Sequence, residues 1–235
     1  MNGPMNRRDA ADLAGSAGAG AWTAFAVLTM IVVGGAGAPL WLDGTFLSRS
    51  VAHRSDELVA LARGVTATGS GVVPYALVAL AGALAGRTAR QRPGAIALAL
   101  SCLATGQVLR YATMTRVHRP RPPRPDWATH ASGWAFPSGH TTTAALTAGI
   151  LIVALALRAP RGGRPLQIAV ACWGVSVGLT RVYLGVHWFT DVIGGWLFAT
   201  AWLTTCLWAA ARWLPGAFLA TATPRPAPQP TEHGP

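Results

Sequence analysis

The sequence predicts an all-α, polytopic membrane protein with six transmembrane helices, and three observations carry that reading. Of 235 residues, 51% are hydrophobic and only 11% are charged, where soluble domains carry about a quarter charged residues. The mean hydropathy is +0.37. Apolar runs long enough to cross a hydrocarbon core of ~30 Å, about 20 residues each, recur along the chain.

The first run covers residues 21–42. It is too long for a signal-peptide core and lacks a cleavage site, so it is retained as a span. Arg7 and Arg8 lie too far ahead of it, with Asp9 and Asp12 following, to form a twin-arginine signal. The second span, residues 71–86, is short and extends back through the mixed segment 56–68. The third, fourth, fifth and sixth cover 94–113, 141–157, 166–186 and 192–214, apolar all round rather than on one face. The expected organisation is a short cytoplasmic segment (1–20), a six-span domain (21–214) and a disordered tail (215–235) carrying Pro224, Pro226, Pro228 and Pro230. No internal repeat of the kind found in transporters stands out. Cys102, Cys172 and Cys206 all fall inside apolar runs and read as small buried hydrophobes without a disulfide framework.

All 19 basic residues are Arg, against 8 acids, giving a formal charge of +11. In a soluble chain a pI near 11.4 would suggest nucleic acid. Here the arginines lie between apolar runs, where they set topology and meet lipid phosphates, which argues against a nucleic-acid partner. Arg7 and Arg8, then Arg87, Arg90 and Arg92, then Arg158, Arg161 and Arg164 fall on one side of a six-span chain, which the positive-inside rule makes cytoplasmic. Segments 43–57, 115–140 and 181–191 then face outward. Arg116, Arg119, Arg121 and Arg124 break the rule there, and anion binding is the simplest local reason.

Three patterns share that outer face. Arg119-Pro120-Arg121-Pro122-Pro123-Arg124-Pro125 is stiff and extended and presents guanidinium groups suited to phosphate, although a loop touching anionic headgroups explains it equally. Pro137-Ser138-Gly139-His140 is a turn feeding a helix, where free N–H groups and a hydroxyl can meet an anion; a plain capping turn is the alternative. Arg181, five residues, His187, three residues, Asp191 places the last two on one helical face. Asp191 can accept from one imidazole nitrogen and leave the other as a nucleophile; the alternative is a buried polar pair that holds helices together. Two intervening spans return the chain to the same side, so all three patterns can build one site.

In this order the patterns resemble the type 2 phosphatidic acid phosphatase superfamily: Lys, six residues, Arg-Pro; then Pro-Ser-Gly-His; then Ser-Arg, five residues, His, three residues, Asp. Arg121-Pro122, Pro137 to His140, and Thr180-Arg181 with His187 and Asp191 match, with Thr180 in place of Ser. The family Lys falls at Met114, so Arg110, one helical turn earlier, or Arg116 is the replacement cation. The resemblance, over residues 94–214, implies a helical bundle with an extracytoplasmic active site and hydrolysis of a lipid phosphomonoester or diphosphate. His187 would attack phosphorus with Asp191 orienting it, and His140 would serve the leaving group and then water. Arg121, Arg181, Ser138, Gly139 and Arg110 would hold the phosphate. No metal or other cofactor is implied. The implied partners are a phosphorylated lipid, such as phosphatidic acid, phosphatidylglycerol phosphate or undecaprenyl diphosphate, and the membrane lipids.

Two rival readings use the same residues. His140, His187 and Asp191 could form a two-His, one-carboxylate metal site, although the surrounding arginines disfavour a cation. The chain could instead be a non-enzymatic anion or lipid transporter, or a lipid-binding membrane protein.

Overall fold

The computed structural model describes residues 7–159 and 162–213. The expected tail (215–235), the first six residues and Arg161 lie outside them. The described residues form eight α-helices and one 3-10 turn: α1 (Arg7–Gly34), α2 (Trp41–Ala52), α3 (Asp56–Thr68), α4 (Val72–Ala85), α5 (Arg92–Val117), the turn at Arg124–Asp126, α6 (Gly139–Arg158), α7 (Arg164–Tyr183) and α8 (Phe189–Trp213). Five helices are long and apolar enough to span a membrane. The α3–α4 pair, bent by 49°, makes a sixth if counted as one broken span. This chain is a multi-pass membrane protein.

The last four spans lie where apolar periodicity puts them. Pro93 and Pro165 open α5 and α7, at first-turn positions whose N–H groups need no helical partner. The break at residues 69–71 divides the second span as its mixed composition suggests.

The N-terminal part departs from expectation. Helix α1 starts at Arg7 and ends at Gly34, displaced from the expected 21–42. The Ala- and Gly-rich stretch before residue 21 continues the helix. At the other end Ala36 and Gly37 take positive φ values of 51° and 74°, and Pro39 offers no donor, so helix geometry stops while apolarity continues. Segment 43–57, expected as an outward loop, is mostly helical. Helix α2 leaves Trp41, Leu42, Phe46 and Val51 exposed while burying Asp43 and Leu47.

Helix α1 lies along α8, where the Trp22 indole donates to Thr205 Oγ1 at 3.0 Å. The main core, including Val78, Leu103, Leu146, Leu151 and Ala199, is shared by α4, α5, α6 and α8. Around it, small residues let membrane helices approach closely. All three cysteines are free; Cys102 is buried and Cys206 half-buried, but Cys172 is exposed on α7, contrary to expectation, because apolar helix faces in a membrane protein can turn outward.

Gly82 shows how tight this packing is. A Cβ there would stand 2.5 Å from Ile96 Cα and 2.8 Å from Ile96 N, both backbone atoms of α5. Gly82→Ala should therefore lower the thermal midpoint in detergent, by about 1–3 kcal/mol of stability. Gly20→Ala, with no atom within 4 Å of the added Cβ, should leave it unchanged or slightly raised.

Candidate active site

The three patterns meet because the connections α5–α6 and α7–α8 are tied to each other by backbone bonds. Ala128 N–H donates to Leu184 O at 2.9 Å, and Ser138 N–H to Asp191 O at 3.1 Å. Arg54, after α2, braces the same junction from outside, donating to Tyr183 O at 2.9 Å and Asp126 O at 2.6 Å. The proline-rich segment is pinned by indoles: Trp188 donates to Pro120 O and Trp127 to Pro122 O, each at 2.9 Å. It runs without regular structure to Pro123 and then forms the 3-10 turn, so it is not extended throughout.

A cavity of about 560 Å³ opens at this junction. Arg110, Arg121, Gly139, His140, Arg181 and His187 line it, and no Asp or Glu does. Arg110 Nε and Arg181 Nε are buried donors without a hydrogen-bond partner. Arg181 Nη1 donates to Thr66 Oγ1 at 3.1 Å, which orients its fork from α3. A pocket walled by three guanidinium groups, two of them with an unspent Nε donor, and no carboxylate is built for an anion.

His187 is buried at the base. Arg121 Nη1 donates to its Nε2 at 2.9 Å, so Nε2 carries a lone pair and the ring proton sits on Nδ1. Nδ1 faces Asp191 Oδ2 at 3.4 Å, across the i,i+4 spacing expected from sequence. Burial, then the charges of Arg121 and Arg181, hold the imidazole well below its ordinary value and keep it neutral. Burial likewise lowers Arg121, with Asp191 opposing the shift. Arg121 also donates to the carbonyls of Ser132, Gly133, Trp134 and Val186, at 2.7 to 3.1 Å. Its guanidinium therefore fixes the cavity rim as well as facing the cavity.

Ser138 and Asp191 are not among the lining residues. Ser138, expected at the anion, is fully buried at the start of α6, with its Oγ accepting from Thr141 Oγ1 at 2.9 Å. Its backbone turn directs the hydroxyl inward, and Gly139 is what reaches the cavity. Asp191 is spent on Arg119 Nη1 at 2.6 Å, the Trp188 N–H at 2.9 Å and His187. It thus stands behind the histidine, and among the described residues no group of three or more His, Cys, Asp or Glu is placed to hold a metal ion.

The four rule-breaking arginines separate into different jobs. Only Arg121 lines the cavity; Arg116 is exposed, and Arg124 lies over the Trp127 ring at 5.9 Å. Arg119 is fully buried and bridges Asp191 to Asp43 at 2.6 and 2.7 Å. Arg119, grouped from sequence with the arginines that would meet an anion, is instead a buried strut, and Asp43 carries no site reading from sequence. An acid placed in an apolar stretch, costly at membrane depth, was the available signal for Asp43. Of the two cations weighed for the position of Met114, Arg110 lines the cavity one turn away, with its Nη1 3.4 Å from Met114 Sδ.

The chain is similar to known proteins over part of its length. Phosphatidylglycerophosphatase B of Bacillus subtilis (strain 168) is 40% identical over 77 residues, 31% of this chain and 38% of that protein. Phosphatidylglycerophosphatase B of Escherichia coli (strain K12) is 39% identical over 82 residues, 34% and 31% of the two chains. Lipid A 1-phosphatase of Rhizobium etli is 45% identical over 69 residues, 29% and 26%. The chain thus spans well under half the length of these curated relatives. In fold it is similar to the crystal structure of the first transmembrane PAP2 type phosphatidylglycerolphosphate phosphatase from Bacillus subtilis. That likeness has a TM-score of 0.69 at 24% identity and covers 80% of this chain and 93% of that one. The PAP2 superfamily model matches residues 71–215, more than half of the chain and all three patterns that build the cavity, so the chain belongs to the PAP2 superfamily.

Proposed function

We propose that this chain is an integral membrane phosphatase that removes phosphate from a lipid phosphomonoester or diphosphate through a phosphohistidine on His187. The observation that carries the reading is His187 itself: a neutral imidazole with Nε2 unprotonated at a cavity of guanidinium groups and Nδ1 backed by a buried carboxylate. Nε2 attacks phosphorus as the bond to the leaving oxygen breaks, and His140 gives that oxygen a proton. His140 then takes a proton from water, whose oxygen attacks phosphorus, breaks the P–N bond and releases inorganic phosphate. Arg121, Arg181, Arg110 and the Gly139 N–H stabilise the equatorial oxygens. Arg121 exchanges Nε2 for phosphate oxygen when substrate enters, freeing the nucleophile.

Arg110 takes the place of the family Lys absent at Met114, because it shares that helix face and reaches the cavity, while Arg116 is exposed. The relatives' names, phosphatidylglycerophosphatase and lipid A 1-phosphatase, support a lipid substrate. Phosphatidic acid, phosphatidylglycerol phosphate and undecaprenyl diphosphate all fit that class. Arginine placement, through the positive-inside rule, supports cytoplasmic termini and a cavity on the outer face.

Detergent-solubilised protein in EDTA should release phosphate from at least one of these three lipids, and His187→Ala should abolish release while leaving helical content unchanged. Release that persists in His187→Ala would overturn the phosphohistidine mechanism, and release lost in EDTA would overturn metal independence. Arg110→Ala should raise KM by about tenfold, the scale of one charged hydrogen bond, and Arg116→Ala should leave it unchanged. The reverse pattern would move the role to Arg116. Stability should also depend on pH in a definite direction. The unfolded chain protonates His187 near pH 6.5 and the folded chain does not. Stability therefore falls as pH drops below about 6.5, and thermal unfolding of His187→Gln should show a weaker fall than the parent protein.

A further inference from the structure

The site's orienting carboxylate does not stand alone. Asp191 shares the Arg119 guanidinium with Asp43, and all three side chains are fully buried. Asp43 comes from α2, ahead of residue 71, where the match to the family model begins. Its Oδ1 accepts the Thr190 N–H at 2.8 Å, in the first turn of α8, and its Oδ2 accepts from Arg119 Nη2 at 2.7 Å and the Leu40 N–H at 2.9 Å. The Thr190 hydroxyl, within 2.9 Å of both Asp43 oxygens, also accepts from Arg119 Nη1 at 2.8 Å. The carbonyls of Gly37 and Ala38 complete the Arg119 shell.

We infer that Asp43 and Arg119 are positioning residues for the nucleophile, with Asp43 keeping the Arg119 charge from neutralising Asp191 and so preserving the negative charge behind His187. One guanidinium between two carboxylates leaves a net negative cluster; the same guanidinium on Asp191 alone leaves a neutral pair. Asp43 also caps the helix whose first turn carries Asp191, which fixes the carboxylate relative to Trp188 and His187. The groups facing His187 are then Arg121 from the α5–α6 connection, His140 from α6, Arg181 from α7 and Asp191 from α8. Against three positive or potentially positive neighbours, the Asp43–Arg119–Asp191 cluster supplies the opposing field.

The inference rests on the phosphohistidine reading, and the test separates the two. Asp43→Asn keeps size and removes the charge, and it also turns one of the two accepting oxygens into an NH2 donor facing N–H groups. It should keep KM within twofold, lower kcat by about tenfold or more, and move the acidic limb of the kcat/KM profile to lower pH, because less negative charge stabilises the imidazolium. Arg119→Lys keeps the charge but cannot fork between two carboxylates, and it should also lower kcat with KM retained. An Asp43→Asn protein with parental kcat and an unmoved acidic limb overturns the inference. So does a loss of activity that only follows the folded fraction measured by thermal unfolding. If His187→Ala remains active, the mechanism itself has failed; if His187→Ala is dead and Asp43→Asn behaves as the parent, only the positioning role has.

Discussion

The buried contact of Arg119 with two carboxylates is the constraint on which the site depends. Charges at this depth are expensive to bury, and they persist only when every partner is satisfied. Arg119 meets that requirement by reaching α2 through Asp43, α8 through Asp191 and Thr190, and the end of α1 through the carbonyls of Gly37 and Ala38. The 37–43 stretch, the α5–α6 connection that carries Arg119 and the first turn of α8, far apart in sequence, are thereby held in one arrangement around His187.

Outside this knot the electrostatics invert. The knot is closed and net negative, with one guanidinium between two carboxylates, whereas the cavity in front of it is lined by three guanidinium groups and no acid. The histidine sits at the boundary, with negative charge behind and positive charge ahead. Such a gradient suits a reaction in which an anion must be drawn toward a neutral nucleophile. The absence of Lys from the chain means that flat, forked cations supply the whole attractive face, and each fork can take two phosphate oxygens at once.

Much of this was legible in the sequence. The last four spans follow from continuous apolarity, and the i,i+4 relation of His187 and Asp191 places both on one face. The spacing of Pro137 to His140 likewise brought Gly139 and His140 to the cavity. What failed had local causes. The end of α1 was misplaced because residues 36–39 keep their apolar character while abandoning helical backbone angles. At Ser138, spacing does not say which way the hydroxyl turns at a helix start, where it is buried and accepts from Thr141 Oγ1. Arg119 and Arg121 are two residues apart and each is followed by Pro, and only tertiary packing distinguishes a buried strut from a cavity wall.

The position of Asp43 separates two ways of dividing the chain. By resemblance, the recognisable unit begins at residue 71 and holds every group expected to touch phosphate. By physical dependence, the unit begins earlier, because the carboxylate that completes the Arg119 bridge lies on a helix that no motif marks. A segment cut at the family boundary would carry a full signature and an incomplete machine, with a buried arginine and one acid where the architecture was assembled around two.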